Sequence, residues 1–301
     1  MRNFDPTDIK FFKLLRKMLA IILASTLLSL LNDFNKLYSP NGWIDPQLPQ
    51  MQQSFASLGI QSWMEWTHTL ADISYLHLHW LVIAIYLGLC LCMAVDYCGR
   101  AAALLLLMLD ISIFSINTQY SYGADTIRTS ILFYLVFIPN RPNYYMWVYI
   151  RVVQVHLCII YFFGGLEKAL GYNWWNGEAI WKAVNLPYFQ QGYSWHITLL
   201  QQQPWLAVLA GWLIILLELF YPLAVYIDRL RFIWLAAIAV MHTGIALLMG
   251  LWNFSLLMLT WNVGAFFIGW LAIEAYYPKS PMFNLSRPWR ATDAPAQNRR
   301  A

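Results

Sequence analysis

The sequence predicts an all-α, polytopic helical membrane protein with about eight transmembrane helices and amphipathic interfacial helices in the outer loops. Two observations lead to this fold class. The 301-residue chain is 60% hydrophobic and only 11% charged, whereas soluble domains carry roughly 25% charged residues. Its apolar residues also fall in long blocks, and a block of about 20 apolar residues is long enough to cross a bilayer as a helix.

Short polar turns separate several of the apolar blocks. "DYCGR" (96–100) and "DRLR" (228–231) are charged, and "PNRPNYY" (139–145) contains two prolines, which end a helix. The predicted spans are 15–33, 76–95, 100–117, 124–138, 146–166, 205–226, 232–250 and 254–274. They form one predicted transmembrane domain over 1–278, followed by a tail at 279–301 that we predict to be disordered, basic and cytoplasmic.

The basic residues predict how these helices are oriented. With both termini on one side, that side collects 15 of the 19 lysines and arginines, and the other side holds only Lys36, Arg128, Lys168 and Lys182. Lysine and arginine accumulate in cytoplasmic loops, so we expect both termini to be cytoplasmic. The first apolar run has no small-residue cleavage site after it, and we expect it to remain as a helix.

The two long outer loops, 34–75 and 167–204, contain amphipathic segments. In the first loop, apolar residues recur at helical spacing, at Leu58, Trp63, Trp66, Leu70 and Ile73. This spacing favours a helix lying in the membrane interface. In the second loop, a turn at Asn176 and Gly177 precedes a short helical pattern. We expect both segments to cover the outer ends of the spanning helices.

Four ionisable residues lie inside predicted spans: Asp110, His156, Glu218 and His242. Such groups are costly in a bilayer and usually face the interior of the bundle. Each one alone is consistent with a structural hydrogen-bonded role. Because all four lie at similar depth, we predict a polar cavity, with Asp110, Glu218 and His242 in its wall and His156 as a further cavity or relay residue.

Other ligand classes are disfavoured by the pattern of residues. The histidines at 77 and 79 are two residues apart and point in different directions on a helix, so we predict no metal site. The four cysteines, Cys90, Cys92, Cys98 and Cys158, lie in or beside apolar blocks and are expected to be buried free thiols rather than a disulfide. No basic-aromatic pattern suited to nucleic acid is visible.

The stretch "YFFGGLEKALGYNWWNGEAIW" (161–181) places Lys168 at a predicted membrane edge. A snorkelling anchor, a structural ion pair and a catalytic base are all open interpretations. Gly164 and Gly165 lie one turn earlier and leave that helix face open, and Glu167 points elsewhere. Trp174 and its neighbour in the next loop can cover the amine, and a lysine withdrawn from water can act as a neutral base.

This stretch resembles a segment of the vitamin K-dependent gamma-carboxylase and its bacterial relatives, the horizontally transferred transmembrane (HTTM) domain family. The shared pattern is aromatic residues, Gly, Lys168, then Trp174 and Gly177. "MHTGIALLMGLWNFSLLML" (241–259) resembles the family's histidine block, and "NTQYSYGADTIRTSILFYLVFIP" (117–139), which begins at Asn117, resembles its Asn–Tyr–Gly segment. These blocks occur in the family's order over about 117 to 274.

The resemblance implies an outer-facing polar cavity that acts on or binds a quinone-like molecule, with Lys168 as the base and a reduced quinone as the cofactor. It also implies a lyase-type activity and a location in the bacterial inner membrane. Two features differ from the carboxylase: Thr118 stands where that enzyme has a histidine, and its large lumenal portion has no counterpart in this sequence.

A second class of function stays open beside the enzyme. The two differences favour a non-catalytic membrane subunit that binds a lipid, a quinone, or a membrane or periplasmic partner protein. A tightly held quinone with turnover would distinguish the enzyme, whereas a stoichiometric protein partner without a redox ligand would distinguish the subunit. A transporter is disfavoured because no internal repeat is visible.

Overall fold

The computed structural model describes residues 7–40, 42–43, 58–115, 122–138, 146–186 and 195–268, and this part of the chain contains helices but no strand. The helices are α1 (Thr7–Ser29), α2 (Leu31–Tyr38), α3 (Ile60–Ala71), α4 (Tyr75–Ala94), α5 (Gly99–Asp110), α6 (Gly123–Phe137), α7 (Met146–Leu170), α8 (Tyr172–Trp175), α9 (Glu178–Asn185), α10 (Trp195–Gln202), α11 (Trp205–Leu219), α12 (Tyr221–Ala224), α13 (Asp228–Met249) and α14 (Trp252–Asn262). One π-helical turn follows α5 (Ile111–Ser115) and another follows α14 (Val263–Ile268).

Within the described ranges, three helices, α4, α7 and α13, are long and apolar enough to cross a membrane. The number rises to five if each of two bent pairs counts as one span: α1 with α2, bent by 67°, and α10 with α11, bent by 102°. In all eight predicted segments, most of the described residues are helical. However, α5, α6 and α14 are only 12, 15 and 11 residues long, although α5 and α14 each continue directly into a π-helical turn. The described structure therefore supports a helical membrane protein with three to five spans of sufficient length.

The helices pack in two groups that α14 joins. The first group is α1, α4, α5 and α6, and the second is α7 with α11 to α13. α14 and its π-helical turn contact α1, α6 and α13 as well as α7. The buried stripe of α1 shows why it packs: Leu15, Leu19, Leu23 and Leu27 recur every four residues and form one apolar face. The second group carries the site described below.

A basic cluster closes one end of the first group. Arg16 of α1 donates to Asp96 at 2.8 Å and to the Ile138 carbonyl at 3.1 Å. Arg100 donates to the Val136 carbonyl at 2.7 Å. Cations beside the C-terminal carbonyls of α6 are favourable, since these carbonyls lack partners within the helix. Arg16 and Arg100 are both assigned to the cytoplasmic side by the sequence, and the structure brings them to the same end.

The two segments that the sequence predicts to be amphipathic form helices. In α3, Ile60 and Met64 are buried, while Trp63, Trp66 and Leu70 are exposed. The apolar stripe therefore faces away from the protein, as expected of a helix that enters the membrane interface. In the second loop, α9 follows the turn and packs against α11.

The four cysteines are free thiols, as predicted. Cys90 and Cys158 are buried, and Cys92 is half-buried. The prediction of burial is wrong for Cys98, which is exposed because it lies in the tight turn between α4 and α5.

Candidate functional site

One face of α7 supplies the first part of the candidate site. Tyr161, Gly164, Gly165 and Lys168 are spaced so that they lie on the same side of the helix, within about 10 Å along its axis. This face packs against α11. At Gly165 the approach is so close that an added Cβ would lie 2.5 Å from the backbone nitrogen of Leu219. Only glycine fits there without displacing a backbone.

The close packing of α7 and α11 produces an ion pair between Lys168 and Glu218. The Lys168 Nζ lies 2.7 Å from the Glu218 Oε2 and also donates to the Gly164 carbonyl at 3.3 Å. The two side chains are 23% and 12% exposed. A Cβ on Gly164 would lie 3.2 Å from the carboxylate oxygen, so glycine leaves room for the pair. Of the three interpretations of Lys168, the structure shows the ion pair, with Glu218 as the partner.

The tryptophans after α7 cover this pair from one side. The Trp174 ring centroid lies 5.2 Å from the Lys168 Nζ, within the range of a cation–π interaction. Trp175 donates its indole N–H to the Ala169 carbonyl at 2.7 Å. The Trp212 indole of α11 in turn donates to the Trp175 carbonyl at 2.9 Å. The pair of tryptophans is therefore tied to both helices that hold the ions.

Two further glycines allow the tryptophan segment to lie on α11. Gly177 has a φ of 80°, which side chains disfavour, and a Cβ there would lie 2.7 Å from the Val208 nitrogen. Gly211 faces the Trp174 carbonyl directly and has no room for a Cβ. The sequence marked Gly177 as a motif residue, and the structure gives the steric reason.

A second set of polar contacts centres on Tyr161. Its hydroxyl lies 2.9 Å from the His242 Nε2 and accepts a hydrogen bond from the Asn262 Nδ2 at 2.7 Å. Tyr221 donates to the Asn262 Oδ1 at 2.7 Å, and its ring stacks on that of Tyr161 at 4.1 Å. All four side chains are buried. They come from α7, α12, α13 and α14, so the network joins four helices.

The two sets of contacts are neighbours and form one site. Tyr161 and Lys168 are seven residues apart on one face of α7, and each contacts a residue of a neighbouring helix, His242 and Glu218 respectively. We call Lys168, Glu218, Tyr161, His242, Asn262 and Tyr221 together the Lys168 site. The structure thus brings together three of the residues that the sequence selected, Lys168, Glu218 and His242.

Sequence reasoning missed the other three members of the Lys168 site. Each carried a weak signal. Tyr161 precedes Lys168 by seven residues and therefore shares its helix face. Tyr221 follows Glu218 by three residues, and Asn262 is a lone amide in the apolar run "LLMLTWNVGAFF". The chain has 18 tyrosines, so sequence position alone did not distinguish Tyr161 and Tyr221 from the others.

Asp110 belongs to a different cluster in the first group of helices. The Arg128 Nε lies 2.8 and 2.9 Å from the two Asp110 carboxylate oxygens, and Tyr86 donates to one of them at 2.8 Å. The Arg128 Nη2 lies 2.8 Å from the Asp125 Oδ1, so the same guanidinium also pairs with a second acid three residues earlier on its own helix. Within the described residues, no hydrogen bond or ion pair joins Asp110 to Glu218 or His242, so Asp110 belongs to a separate polar cluster.

The remaining predicted positions lie elsewhere. The His156 Nδ1 lies 2.6 Å from the Tyr134 hydroxyl, and its ring meets that of Trp261 edge-on at 5.3 Å. Asn117 falls outside the described residues. Among those that are described, no group of histidine, cysteine or acidic side chains is arranged to hold a metal ion.

Comparisons of this chain with protein-family models, curated proteins and solved structures found no match. The chemistry of the Lys168 site therefore has to be argued from its geometry. The site offers an amine and a carboxylate in contact, a phenol paired with an imidazole, and an indole face beside them. These are groups that hold and transfer protons.

Proposed function

We propose that this chain is an eight-span, HTTM-like membrane protein whose Lys168 site binds a quinone-like, lipid-soluble molecule and removes a proton from it. The observation that carries the proposal is the Lys168–Glu218 contact of 2.7 Å between two partly buried groups. Away from water, both charged forms lose solvation, and an amine beside a carboxylic acid becomes a competitive alternative to the ion pair. Glu218 can then hold the proton and leave Lys168 as a neutral base.

The proposed step is a simple proton transfer. The proton of an acidic substrate hydroxyl moves to the lone pair of the Lys168 Nζ, and the electrons of the broken O–H bond stay on the oxygen. The new ammonium stabilises the oxyanion and can later return the proton to that oxygen, while Glu218 stays protonated throughout. Trp174 offers a flat apolar surface beside the amine against which a planar ring can stack.

The outside of α7 is suited to a ligand that arrives through lipid. Phe163, Leu170 and Tyr172, which flank Lys168 in sequence, are 59%, 80% and 78% exposed. Apolar and aromatic side chains at this level favour contact with acyl chains rather than water. A lipid-soluble molecule can therefore approach the Lys168 site sideways from the bilayer.

A non-catalytic membrane subunit is the second candidate, and the closed ion pair favours it. If Lys168 stays charged, its contact with Glu218 is a structural tie between α7 and α11, and the chain serves to bind a lipid, a quinone or a partner protein. The two candidates differ in what Lys168→Arg does. Arginine keeps the positive charge but does not supply a neutral base.

The test uses menadiol, a reduced naphthoquinone, added to the full-length protein in lipid nanodiscs without oxygen. If Lys168 is a base, the wild type converts bound menadiol to its anion, seen as a change in its ultraviolet spectrum, and Lys168→Arg does not. Lys182→Arg is the matched control, because Lys182 forms an exposed pair with Glu178. Anion formation that survives Lys168→Arg, or none in the wild type, excludes the base and leaves the subunit.

A further inference from the structure

The hydrogen bonds around Tyr161 favour one arrangement of donors, and a backbone carbonyl determines its first step. The Asn262 Nδ2 lies 2.8 Å from the Met258 carbonyl oxygen, which can only accept. This contact fixes the orientation of the Asn262 amide. Its oxygen then accepts from Tyr221, and its second N–H hydrogen is donated to the Tyr161 hydroxyl oxygen.

The arrangement of donors and acceptors continues from Tyr161 to His242. Because the Tyr161 oxygen already accepts from Asn262, its own hydrogen is free to be donated, and the His242 Nε2 lies 2.9 Å away. A hydrogen on Nε2 would leave both the Tyr161 hydrogen and the Nδ1 lone pair without a partner, whereas Nε2 as the acceptor leaves only Nδ1 unpaired. The contacts therefore favour an Nε2 that carries no hydrogen. In a neutral imidazole the hydrogen is then on Nδ1. A doubly protonated ring would direct a second donor at Tyr161 and leave the tyrosine hydrogen without an acceptor.

The consequence is a buried donor with no partner. His242 is 2% exposed, and its Nδ1 makes no hydrogen bond. Buried donors are nearly always paired in folded proteins. Ser255, on the same face of α14 as Asn262, also has a buried hydroxyl without a partner. His242 contacts Tyr161, which lies on the same face of α7 as Lys168, so we assign this N–H to the Lys168 site.

We infer that His242 is a ligand-binding residue that donates its Nδ1–H to a carbonyl or phenolic oxygen of the molecule bound at the Lys168 site. The Met258–Asn262–Tyr161 chain holds the ring in the required tautomer. The claim that a bound ligand accepts this hydrogen bond rests on the proposed function, whereas the tautomer does not. Its ligand class is a lipid-soluble, oxygen-bearing ring compound, since an N–H donor needs an acceptor and the neighbouring side chains are aromatic.

Nuclear magnetic resonance of the full-length protein, with nitrogen-15 in its histidine rings, tests the tautomer. The His242 signals are those absent from His242→Gln. We expect a protonated Nδ1 and an unprotonated Nε2, a loss of this preference in Tyr161→Phe, and a shift of the Nδ1 signal when the naphthoquinone menadione is added. A protonated Nε2 in the wild type, or an Nδ1 signal that menadione leaves unchanged, overturns the inference.

Two substitutions separate the ring nitrogens in a binding measurement. Asparagine retains an amide N–H near the Nδ1 position, whereas glutamine places its amide near the Nε2 position. We expect His242→Gln to weaken menadione binding about tenfold, the effect of one lost hydrogen bond, and His242→Asn to weaken it less. Thr243→Ala, on the exposed side of α13, is the control. Equal effects of both His242 substitutions overturn the inference, whereas failure of the base hypothesis shows separately, in Lys168→Arg.

Discussion

Gly165 lies directly against the backbone of Leu219: a Cβ added to the glycine would sit 2.5 Å from the leucine nitrogen. Of the two glycines on the face of α7 that packs against α11, Gly165 lies closer to α11 than Gly164 does. One turn further along α7, Lys168 meets Glu218 at 2.7 Å. The ion pair thus depends on a residue with no side chain, because a larger residue would separate the two helices.

Gly165→Ala is therefore expected to destabilise the protein. The added methyl group must push the two backbones apart, and overpacking of this kind costs about 1 to 3 kcal/mol. Gly244→Ala is the matched control: it also lies within a long helix, but nothing is within 4 Å of its added Cβ. That change should be neutral or stabilising by up to about 1 kcal/mol. Thermal unfolding in detergent would measure both, and equal melting temperatures would contradict the close approach.

The Lys168–Glu218 pair should show energetic coupling. Lys168→Met and Glu218→Gln each leave a partly buried polar group without its partner, so each single change should lower stability. The double variant removes both groups and should be more stable than the sum of the single effects predicts, by about 0.5 to 3 kcal/mol. Unfolding of the four proteins under one condition gives the coupling energy. Strict additivity would mean that the two side chains do not interact in solution.

The Arg128 cluster should contribute far more to the stability of the fold than a surface ion pair of similar geometry. Arg128 is 1% exposed and contacts both Asp110 and Asp125, so Arg128→Met leaves two buried acids facing each other. Loss of one partner from a buried pair costs about 3 to 5 kcal/mol. Lys36 pairs with Asp33 at 2.9 Å on the surface, and Lys36→Met should cost less than about 1 kcal/mol. The comparison is made by expression level and thermal unfolding.

If Arg128→Met proves no more harmful than Lys36→Met, the buried cluster does not stabilise the fold. Arg128→Lys provides a further check. It keeps one positive charge but loses the planar guanidinium that bonds Asp110 through Nε and reaches Asp125 through Nη2. We expect an intermediate loss of stability.

The orientation in the membrane can be tested with single cysteines. Placed at Gln50, Gly192 and Asn298 in a variant without the native cysteines, they report on the two outer loops and the C-terminal tail. The distribution of 15 and 4 basic residues predicts that a membrane-impermeant thiol reagent labels positions 50 and 192 in intact cells but not 298. The reverse pattern would refute both cytoplasmic termini and the loop assignment.

The sequence was sufficient for the class of fold. Long apolar blocks and few charges require helices that satisfy their own backbone hydrogen bonds, and the described residues contain helices and no strand. It was also sufficient to select Lys168, Glu218 and His242, because ionisable groups are conspicuous in an apolar chain. The short helix after Asn176 and Gly177 and the exposed stripe of α3 followed from local turn chemistry and periodicity, which depend only on neighbouring residues.

Which polar residues meet was decided only by the tertiary structure. Depth along a helix can be inferred from sequence, but depth does not say which helices are neighbours or which faces oppose each other. Asp110 and Glu218 were therefore predicted to share a cavity, although packing places Asp110 beside Arg128 and Glu218 beside Lys168. The Lys168 partner lies 50 residues away in sequence, and the close contact at Gly165 brings it there.

The tautomer of His242 depends most completely on three-dimensional packing. It follows from the positions of Tyr161, Asn262 and the Met258 carbonyl, which come from two other helices. Their positions in the sequence do not show that they form hydrogen bonds with one another, because these bonds depend on distances and directions between helices. Composition therefore determined that this chain forms apolar helices, and the packing of four of those helices determined which atoms of its candidate site can donate or accept a proton.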